Sequence, residues 1–431
     1  MIRRRHVFYL AGYDPHGLQH YHRMFAREAA RTKKVWPIDT TITNAAMDDD
    51  GKAGRWQIDS RGANWDVTTT YEYLRWDDLI AQHMARPMPL LVLRTLLCLF
   101  EYLFNGTTYR MFRANWRFGV FYIMWPLALL ALIALPPIFF ANVVGTLPAP
   151  WDFIAGAAGA VLIYLAGLGY ARRRFVIQMC ACWIWFRDRA HRQTPECDER
   201  FEAFARRIIA KARANDVDEI VVIGHSGGGT IGVPIMARAL EIDPEFARAG
   251  APVTLLVLGS SLPMSAMHPQ ADHVREAIRR LAAEPSVTWI DAQARKDAMN
   301  FFNFDMVRGV GVDAGPNPPN PVYWPLRYRD ALAPEFYNRL RWDMFRMHFQ
   351  FIMANHRRAP YDYVMLVCGP APVADWARSN AWQRFDARAA YAQPGQPPKL
   401  PQHPRRPSAI DRNMSAGRHA SFVVPAEQQH S

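Results

Sequence analysis

One serine lies at the centre of a G-x-S-x-G motif, within the segment EIVVIGHSGGGTIGVPIMARAL from Glu219 to Leu240. An apolar, β-branched run precedes the motif and an apolar helix-forming run follows it, so Ser226 stands at a predicted turn from strand to helix. Gly224 and Gly228 leave room for the tight backbone of such a turn. Amides at the start of the helix favour a developing oxyanion. We therefore predict that Ser226 is a nucleophile.

In this segment the chain resembles the α/β-hydrolase superfamily, including its lipases. The resemblance implies acyl transfer to water through a serine-bound intermediate. A serine hydroxyl is a weak nucleophile, and it needs a general base that a carboxylate orients. In the family the acid and the histidine follow the serine along the chain, in that order. A phosphate-binding loop fits less well, because GHSGGGT lacks the lysine of a Walker A sequence.

The acid is sought in the segment SVTWIDAQARKDAMNF. Asp291 ends a predicted strand there, and Asp297 lies in the loop that follows. We favour Asp297, because a strand followed by a loop aspartate resembles the lipase pattern. Asp291 is the alternative acid, and either side chain could instead be a solvated loop carboxylate.

The general base is sought among the histidines that follow the serine and precede the C-terminal tail. His268 and His273 precede both acids and so break the family's order. His348 lies among phenylalanines in RWDMFRMHFQFIMAN, where a polar imidazole needs a specific partner. His356 is adjacent to two arginines and is expected to be exposed. We choose His348; the alternative is a histidine at the edge of the core that bonds to the backbone.

An oxyanion hole needs two backbone N–H donors. The residue after the nucleophile, Gly227, supplies one of them. The resemblance implies that the second comes from an early glycine-containing loop. In VFYLAGYDPHG an apolar strand ends in such a turn, which makes Gly12 or Tyr13 the candidate donor. The alternative is a plain β-turn without a catalytic role.

Alternation of strands and helices predicts the fold class. We expect an α/β fold with an α/β-hydrolase-like, mostly parallel sheet, helices on both faces, and an inserted two-helix transmembrane hairpin. The last predicted elements are a helix over about Glu335–Ala354 and a strand over Tyr363–Cys368. His348 then precedes the final strand, whereas the family places its histidine after the last strand.

The hairpin is predicted from two long uncharged stretches. No charged residue occurs from Phe118 to Trp151, nor from Phe153 to Ala171. One helical crossing needs about 20 apolar residues. We place the spans at about 118–141 and 153–170. The alternative is that both are buried core helices of a large soluble protein. A third apolar segment, Leu90–Phe104, could lie flat at the membrane surface or cover the active site.

The formal net charge of +12 indicates an anionic partner. Arginines lie on both outer flanks of the hairpin and none lies between the spans, so both ends are expected to face the cytoplasm. These flanking arginines are Arg110, Arg113, Arg117, Arg172, Arg173 and Arg174. Tryptophans accompany them, which favours anionic lipid headgroups over nucleic acid. The five cysteines show no zinc-type spacing, and the histidines at 16, 20 and 22 lack a carboxylate pattern, so we expect no metal and no cofactor.

Four regions follow from these patterns. We expect residues 1–83 and 194–370 to form the hydrolase domain, 84–193 to be the membrane insertion, and 371–431 to be a proline-rich disordered tail. The first apolar run is too short for a secretory signal. The sequence thus predicts a serine hydrolase of the cytoplasmic (inner) membrane, facing the cytoplasm and cleaving an ester of a lipid or another apolar acyl compound. An acyltransferase on the same fold and a non-catalytic membrane scaffold are the alternatives.

Overall fold

The strands of the chain form one sheet, mostly parallel, in an α/β fold. The computed structural model describes residues 1–248 and 250–379. The nine strands of the sheet are β1 (Arg4–Leu10), β2 (Asp39–Ile42), β3 (Ala46–Met47), β4 (Ala53–Arg61), β5 (Asp66–Leu74), β6 (Glu219–His225), β7 (Val253–Leu258), β8 (Val287–Ala294) and β9 (Val322–Leu326).

The spatial order is β2-β4-β5-β1-β6-β7-β8-β9, with β3 paired to β4. Strands β5, β1, β6, β7, β8 and β9 run parallel, whereas β4 is antiparallel to β5, β2 and β3. Every residue of β6 and β7 is buried, as expected for parallel strands that are covered on both faces. The order puts β1 directly beside β6, so the loops at their carboxyl ends emerge side by side.

Helices pack on both faces of the sheet and create two apolar cores. They are α1 (Leu18–Thr32), α2 (Asp77–Met84), α3 (Met88–Phe104), α4 (Thr107–Ala114), α5 (Trp116–Val143), α6 (Trp151–Arg173), α7 (Val176–Ala190), α8 (Pro195–Ala214), α9 (Gly227–Ile242), α10 (Leu262–Ala266), α11 (Asp272–Ala283), α12 (Tyr328–Ala331), α13 (Pro334–Leu340), α14 (Met344–Phe349), α15 (Tyr363–Cys368) and α16 (Val373–Ser379). Two short 3₁₀ turns occupy Arg308–Val310 and Gln350–Ile352.

The prediction of a final strand at Tyr363–Cys368 is wrong, because this segment is helix α15. The Asp362 side chain caps it by accepting a hydrogen bond from Met365 N at 3.1 Å. All six residues of α15 are buried, and a short run that is apolar on every side does not distinguish helix from strand. The last strand of the described chain is instead β9, whose Pro325 is tolerated at a sheet edge.

A second correction concerns the long helix predicted over Glu335–Ala354. It is divided into α13, α14 and a 3₁₀ turn. The division follows from Asp343, whose side chain accepts a hydrogen bond from Arg346 N and so starts a new helix. With both corrections, His348 in α14 follows the last described strand. The departure from the family's order that the sequence predicted is therefore absent.

Helices α5 and α6 are each long and apolar enough to cross a membrane. They form an antiparallel pair in which glycines allow close approach: a side-chain carbon on Gly167 would lie 2.7 Å from Leu132 Cδ1. The two helices differ in their surroundings. The first turns of α5 are buried in the protein core through Phe118, Tyr122 and Trp125, whereas α6 is almost wholly exposed. The part of α5 that could cross a membrane therefore begins after the predicted start at 118.

Helix α3 carries a row of exposed apolar side chains spaced three or four residues apart, which places them on one helix face. The row consists of Leu90, Leu93, Leu97, Phe100 and Phe104. Together with α2, from which it is bent by 101°, α3 also satisfies the length and composition of a broken span. The predicted tail, 371–431, lies outside the described residues apart from its first nine, which include α16.

Candidate active site

Ser226 occupies the tight turn between β6 and α9. Its backbone has φ 57° and ψ −122°, a conformation that costs free energy for a residue with a side chain. Close packing holds the turn: a side-chain carbon on Gly224 would lie 2.5 Å from Gly228 O, and one on Gly228 would collide with the Leu10 carbonyl. Ser226 N donates to Leu258 O at 2.9 Å. The serine is partly exposed, so its hydroxyl is accessible.

The loop after β1 lies against this turn. A side-chain carbon on Gly12 would be 3.5 Å from Ser226 Oγ, and one on Gly227 would be 3.0 Å from Tyr13 N. Within residues 1–248 and 250–379, the N–H groups of Gly227 and Tyr13 have no hydrogen-bond acceptor. The loop is held by Gln178 of α7, whose Nε2 donates to Tyr13 O at 2.9 Å. The loop after β1 thus brings the N–H group of Tyr13 close to Gly227, the residue that follows Ser226.

His348 and Asp297 form a buried pair. His348 Nδ1 lies 2.8 Å from Asp297 Oδ2, and the two side chains are 3% and 0% exposed. The other carboxylate oxygen of Asp297 accepts from Met299 N at 2.8 Å, and Asn300 Nδ2 donates to the Asp297 carbonyl, so the loop after β8 fixes the carboxylate. An ionised carboxylate on Nδ1 leaves Nε2 of the imidazole as the proton acceptor.

The second ring nitrogen of His348, Nε2, is buried. Within the described chain it has no hydrogen-bond partner, and it forms no hydrogen bond with Ser226 Oγ. Ser226 and His348 nevertheless line the same cavity, which has a volume of about 270 Å³. In ligand-free enzymes the hydrogen bond from nucleophile to base is often long and shortens when substrate binds.

Asp291, the alternative acid, lies elsewhere. It is buried in β8, where Gln293 Nε2 donates to its carboxylate at 2.5 Å. Burial raises its pKa to about 7. The structure thus brings Asp297, and not Asp291, to His348. Of the other histidines considered, His356 packs on Phe336 away from this cavity.

His225 is a residue that the sequence analysis did not single out. Its Nε2 donates to the His348 carbonyl at 3.3 Å, and the two rings are stacked obliquely with centroids 4.8 Å apart. Burial lowers the pKa of His225 well below its ordinary value, so the ring is neutral. It therefore positions His348 without adding a charge beside it. The sequence feature that could have pointed to His225 is its position directly before Ser226.

The cavity wall opposite the sheet comes from the inserted segment. It is apolar and largely aromatic, with side chains from α5, α7 and the residue before α7. These residues are Phe118, Phe121, Phe175, Met179, Cys182, Trp183 and Phe186. Such a wall excludes water and binds apolar groups. The site therefore joins polar side chains near the carboxyl ends of β1 and β6 to a surface suited to an apolar group.

One cluster in the described residues has the composition of a metal site: Glu101, His191 and His268. Its hydrogen bonds favour a different interpretation. Glu101 already accepts from His191, His268 and Arg187 at 2.5, 2.9 and 2.5 Å. His268 Nδ1 accepts from Gln270 N at 3.2 Å, and its Nε2 contacts both Glu101 Oε1 and Asn105 Nδ2, at 2.9 and 3.0 Å. These contacts describe an ion-paired cluster.

Comparison with known proteins adds no relative. No protein-family model matches the chain, and neither the curated proteins nor the solved structures include a significant match.

Proposed function

We propose that the chain is a membrane-anchored serine hydrolase that cleaves an acyl ester through Ser226, His348 and Asp297. The observation that carries the proposal is the buried His348–Asp297 pair, whose free Nε2 belongs to a ring lining the same cavity as Ser226. A buried imidazole that is oriented by a carboxylate and left without a partner is the arrangement a general base requires.

The reaction proceeds in two halves. Ser226 Oγ attacks the acyl carbonyl while His348 Nε2 takes its proton, and Asp297 stabilises the imidazolium. The N–H groups of Gly227 and Tyr13 hold the oxyanion. The tetrahedral intermediate expels the alcohol, which receives the proton from His348. A water molecule then gives a proton to His348 and attacks the acyl-serine, and the carboxylic acid leaves as Ser226 recovers its proton.

The topology supports an α/β-hydrolase-like fold. The nucleophile follows β6, and the second N–H donor follows the neighbouring parallel strand β1. Serine, acid and histidine occur in the order Ser226, Asp297, His348, and the histidine follows the last described strand. These relations agree with the order of functional elements in that superfamily.

Membrane attachment is proposed from the exposed apolar surfaces. Apolar side chains of α6 and of the second half of α5 are exposed, and α3 adds an apolar stripe suited to lying in the interface. The arginine flanks of the hairpin support a cytoplasmic location for both its ends, and hence for the catalytic site. A site with an aromatic wall next to a bilayer is suited to a lipid or another apolar acyl ester.

Purified full-length protein in detergent tests the proposal with a fluorophosphonate probe. We expect labelling that is lost in Ser226→Ala and retained in Ser261→Ala, which removes another hydroxyl lining the same cavity. Folded protein that is never labelled would instead favour a non-catalytic scaffold. The same acyl-serine could pass to an alcohol, so mass analysis of products from a labelled ester distinguishes hydrolysis from acyl transfer.

A further inference from the structure

A second and larger cavity, of about 990 Å³, adjoins the active-site cavity. The two share four lining residues: His20, Phe175, Phe345 and Phe349. A ligand could therefore occupy both at once. What distinguishes the second cavity is its charge, because the active-site cavity is lined mainly by apolar side chains.

Five arginines from three separate elements line this second cavity. They are Arg23 and Arg27 of α1, Arg173 and Arg174 at the end of α6, and Arg346 of α14. The lining contains one carboxylate, Asp343, and its side chain already caps α14. Guanidinium groups brought together from distant parts of the chain repel one another unless an anion lies between them.

Most of this positive charge is not neutralised by the protein. Within the described chain, Arg23, Arg173 and Arg174 form no ion pair, and only Arg27 pairs with a carboxylate, that of Glu28. Arg346 also lines a neighbouring cavity beside Glu28, with its guanidinium over the ring of Phe336. Guanidinium N–H groups that form no ion pair within the protein can bind phosphate oxygens through charge-assisted hydrogen bonds.

The same cavity has an apolar floor. It includes Met24 of α1, Met124, Trp125 and Ala128 of α5, and Phe345. A free inorganic anion gains nothing from contact with these apolar side chains, whereas an amphipathic ligand contacts both the arginines and the apolar floor. The combination indicates a ligand with an anionic head and an acyl chain.

The packing of the hairpin sets the level of the cavity relative to the membrane. Gly167 of α6 lies against Leu132 of α5. Because the helices are antiparallel, Arg173 and Arg174 then come level with Trp125, and all three line the cavity. Beyond this point α5 exposes apolar side chains such as Leu127, Ile133 and Leu135, while Leu129 and Leu132 stay buried. The arginines therefore stand where the headgroup layer of a bilayer would lie.

We propose that this cavity binds the phosphate headgroup of an anionic acyl lipid, whose ester enters the neighbouring cavity past Phe345 and Phe349. The inference rests on the proposed function and names its substrate class. Recognition is by the arginines, with the lipid backbone on the apolar floor. A zwitterionic lipid carries its own cation into the same cluster and is a poorer substrate.

The test uses short-chain lipids below their micelle concentration, so that adsorption to a membrane surface does not contribute. Purified full-length protein is given dihexanoyl phosphatidic acid or dihexanoyl phosphatidylcholine, and the ratio of the two kcat/KM values is measured. We expect wild-type protein to prefer the anionic lipid, and Arg173→Gln or Arg23→Gln to lower the ratio by roughly tenfold, the worth of one charged hydrogen bond. Because the ratio is taken within one preparation, a loss of folded protein cancels.

Arg172→Gln is the matched control. Arg172 belongs to the same arginine run and is exposed, as Arg173 is, but it does not line the cavity. The control should keep the wild-type ratio. Equal rates on both lipids, an unchanged ratio in Arg173→Gln, or an equal fall in Arg172→Gln would each overturn the headgroup site. If fluorophosphonate fails to label Ser226 at all, the proposed function itself fails, which is a separate result.

Discussion

The substitution Asp297→Asn separates the proposed orienting acid from a structural carboxylate. Asp297 Oδ1 accepts from Met299 N and Oδ2 accepts from His348 Nδ1, both at 2.8 Å. An asparagine keeps one oxygen for Met299 N and turns its NH₂ group toward His348. His348 Nδ1 must then accept, so Nε2 carries the ring proton and cannot take one from Ser226. The protein should therefore fold and lose its base.

The expected loss is large in rate and small in stability. A triad histidine held in the wrong tautomer lowers kcat by about 10⁴-fold, or about 5 kcal/mol of transition-state stabilisation. The free energy of unfolding should fall by only about 1–3 kcal/mol, because one charge-assisted hydrogen bond is exchanged for a neutral one. The assay is hydrolysis of a chromogenic short-chain ester, with thermal unfolding measured on the same preparation.

Asp291→Asn is the control for this prediction. Asp291 is equally buried, lies in the same segment and bonds to Gln293 instead of the histidine. It should change kcat by less than about tenfold. If Asp297→Asn retained kcat within tenfold of wild type, or if Asp291→Asn lost as much, the assignment of the acid would be refuted.

Three further predictions concern the turn, a buried carboxyl group and the hairpin. Gly228→Ala places a carbon against the carbonyls of Leu10 and Ala11, so we expect at least about 3 kcal/mol of destabilisation, measured by denaturant unfolding. Burial raises the pKa of Asp291 from 3.8 to about 7, so the folded state binds this proton more tightly than the unfolded state and loses stability as pH rises from about 4 to 7. Asp291→Asn stays neutral and should be more stable than wild type by up to about 4 kcal/mol at pH 8, with no difference at pH 4; equal melting temperatures at pH 8 would contradict this. The third prediction uses Thr146→Cys, in the loop between α5 and α6, which should lie outside the cytoplasm. A membrane-impermeant maleimide added to intact cells should modify this cysteine and leave wild type unmodified, because the native cysteines are buried. Protection of the new cysteine until the cells are opened would argue against a hairpin whose two ends face the cytoplasm.

Local sequence patterns predicted the parts of the structure that local physics determines. The β-branched run, the glycine turn and the helix around Ser226 are specified within a few residues, and the structure has β6, the turn and α9 in those places. The two apolar helices were also predictable, because their length and lack of charge do not depend on distant residues. Roles assigned to the side chains at the turn remain a proposal.

Other features depend on contacts between distant parts of the chain. Helix α15 is buried on all sides, so its apolar run carries no periodicity. Strand β9 is short and directly follows a loop rich in proline and asparagine, so the sequence around it reads as loop. The contact of His225 with His348 joins β6 to α14. The arginine-lined cavity brings together α1, α6 and α14, and no local pattern in the sequence relates these three helices.

The central claim is that Ser226 forms a covalent acyl intermediate, and quenched mass spectrometry tests it most directly. Full-length protein is mixed with a chromogenic ester, acid-quenched during turnover and digested with trypsin. We predict one acyl group on the peptide 214–238, in which Ser226 is the only serine. Folded protein that turns the ester over with its acyl group on another residue, or with none on this peptide in either wild type or the slowed Asp297→Asn variant, would contradict the account.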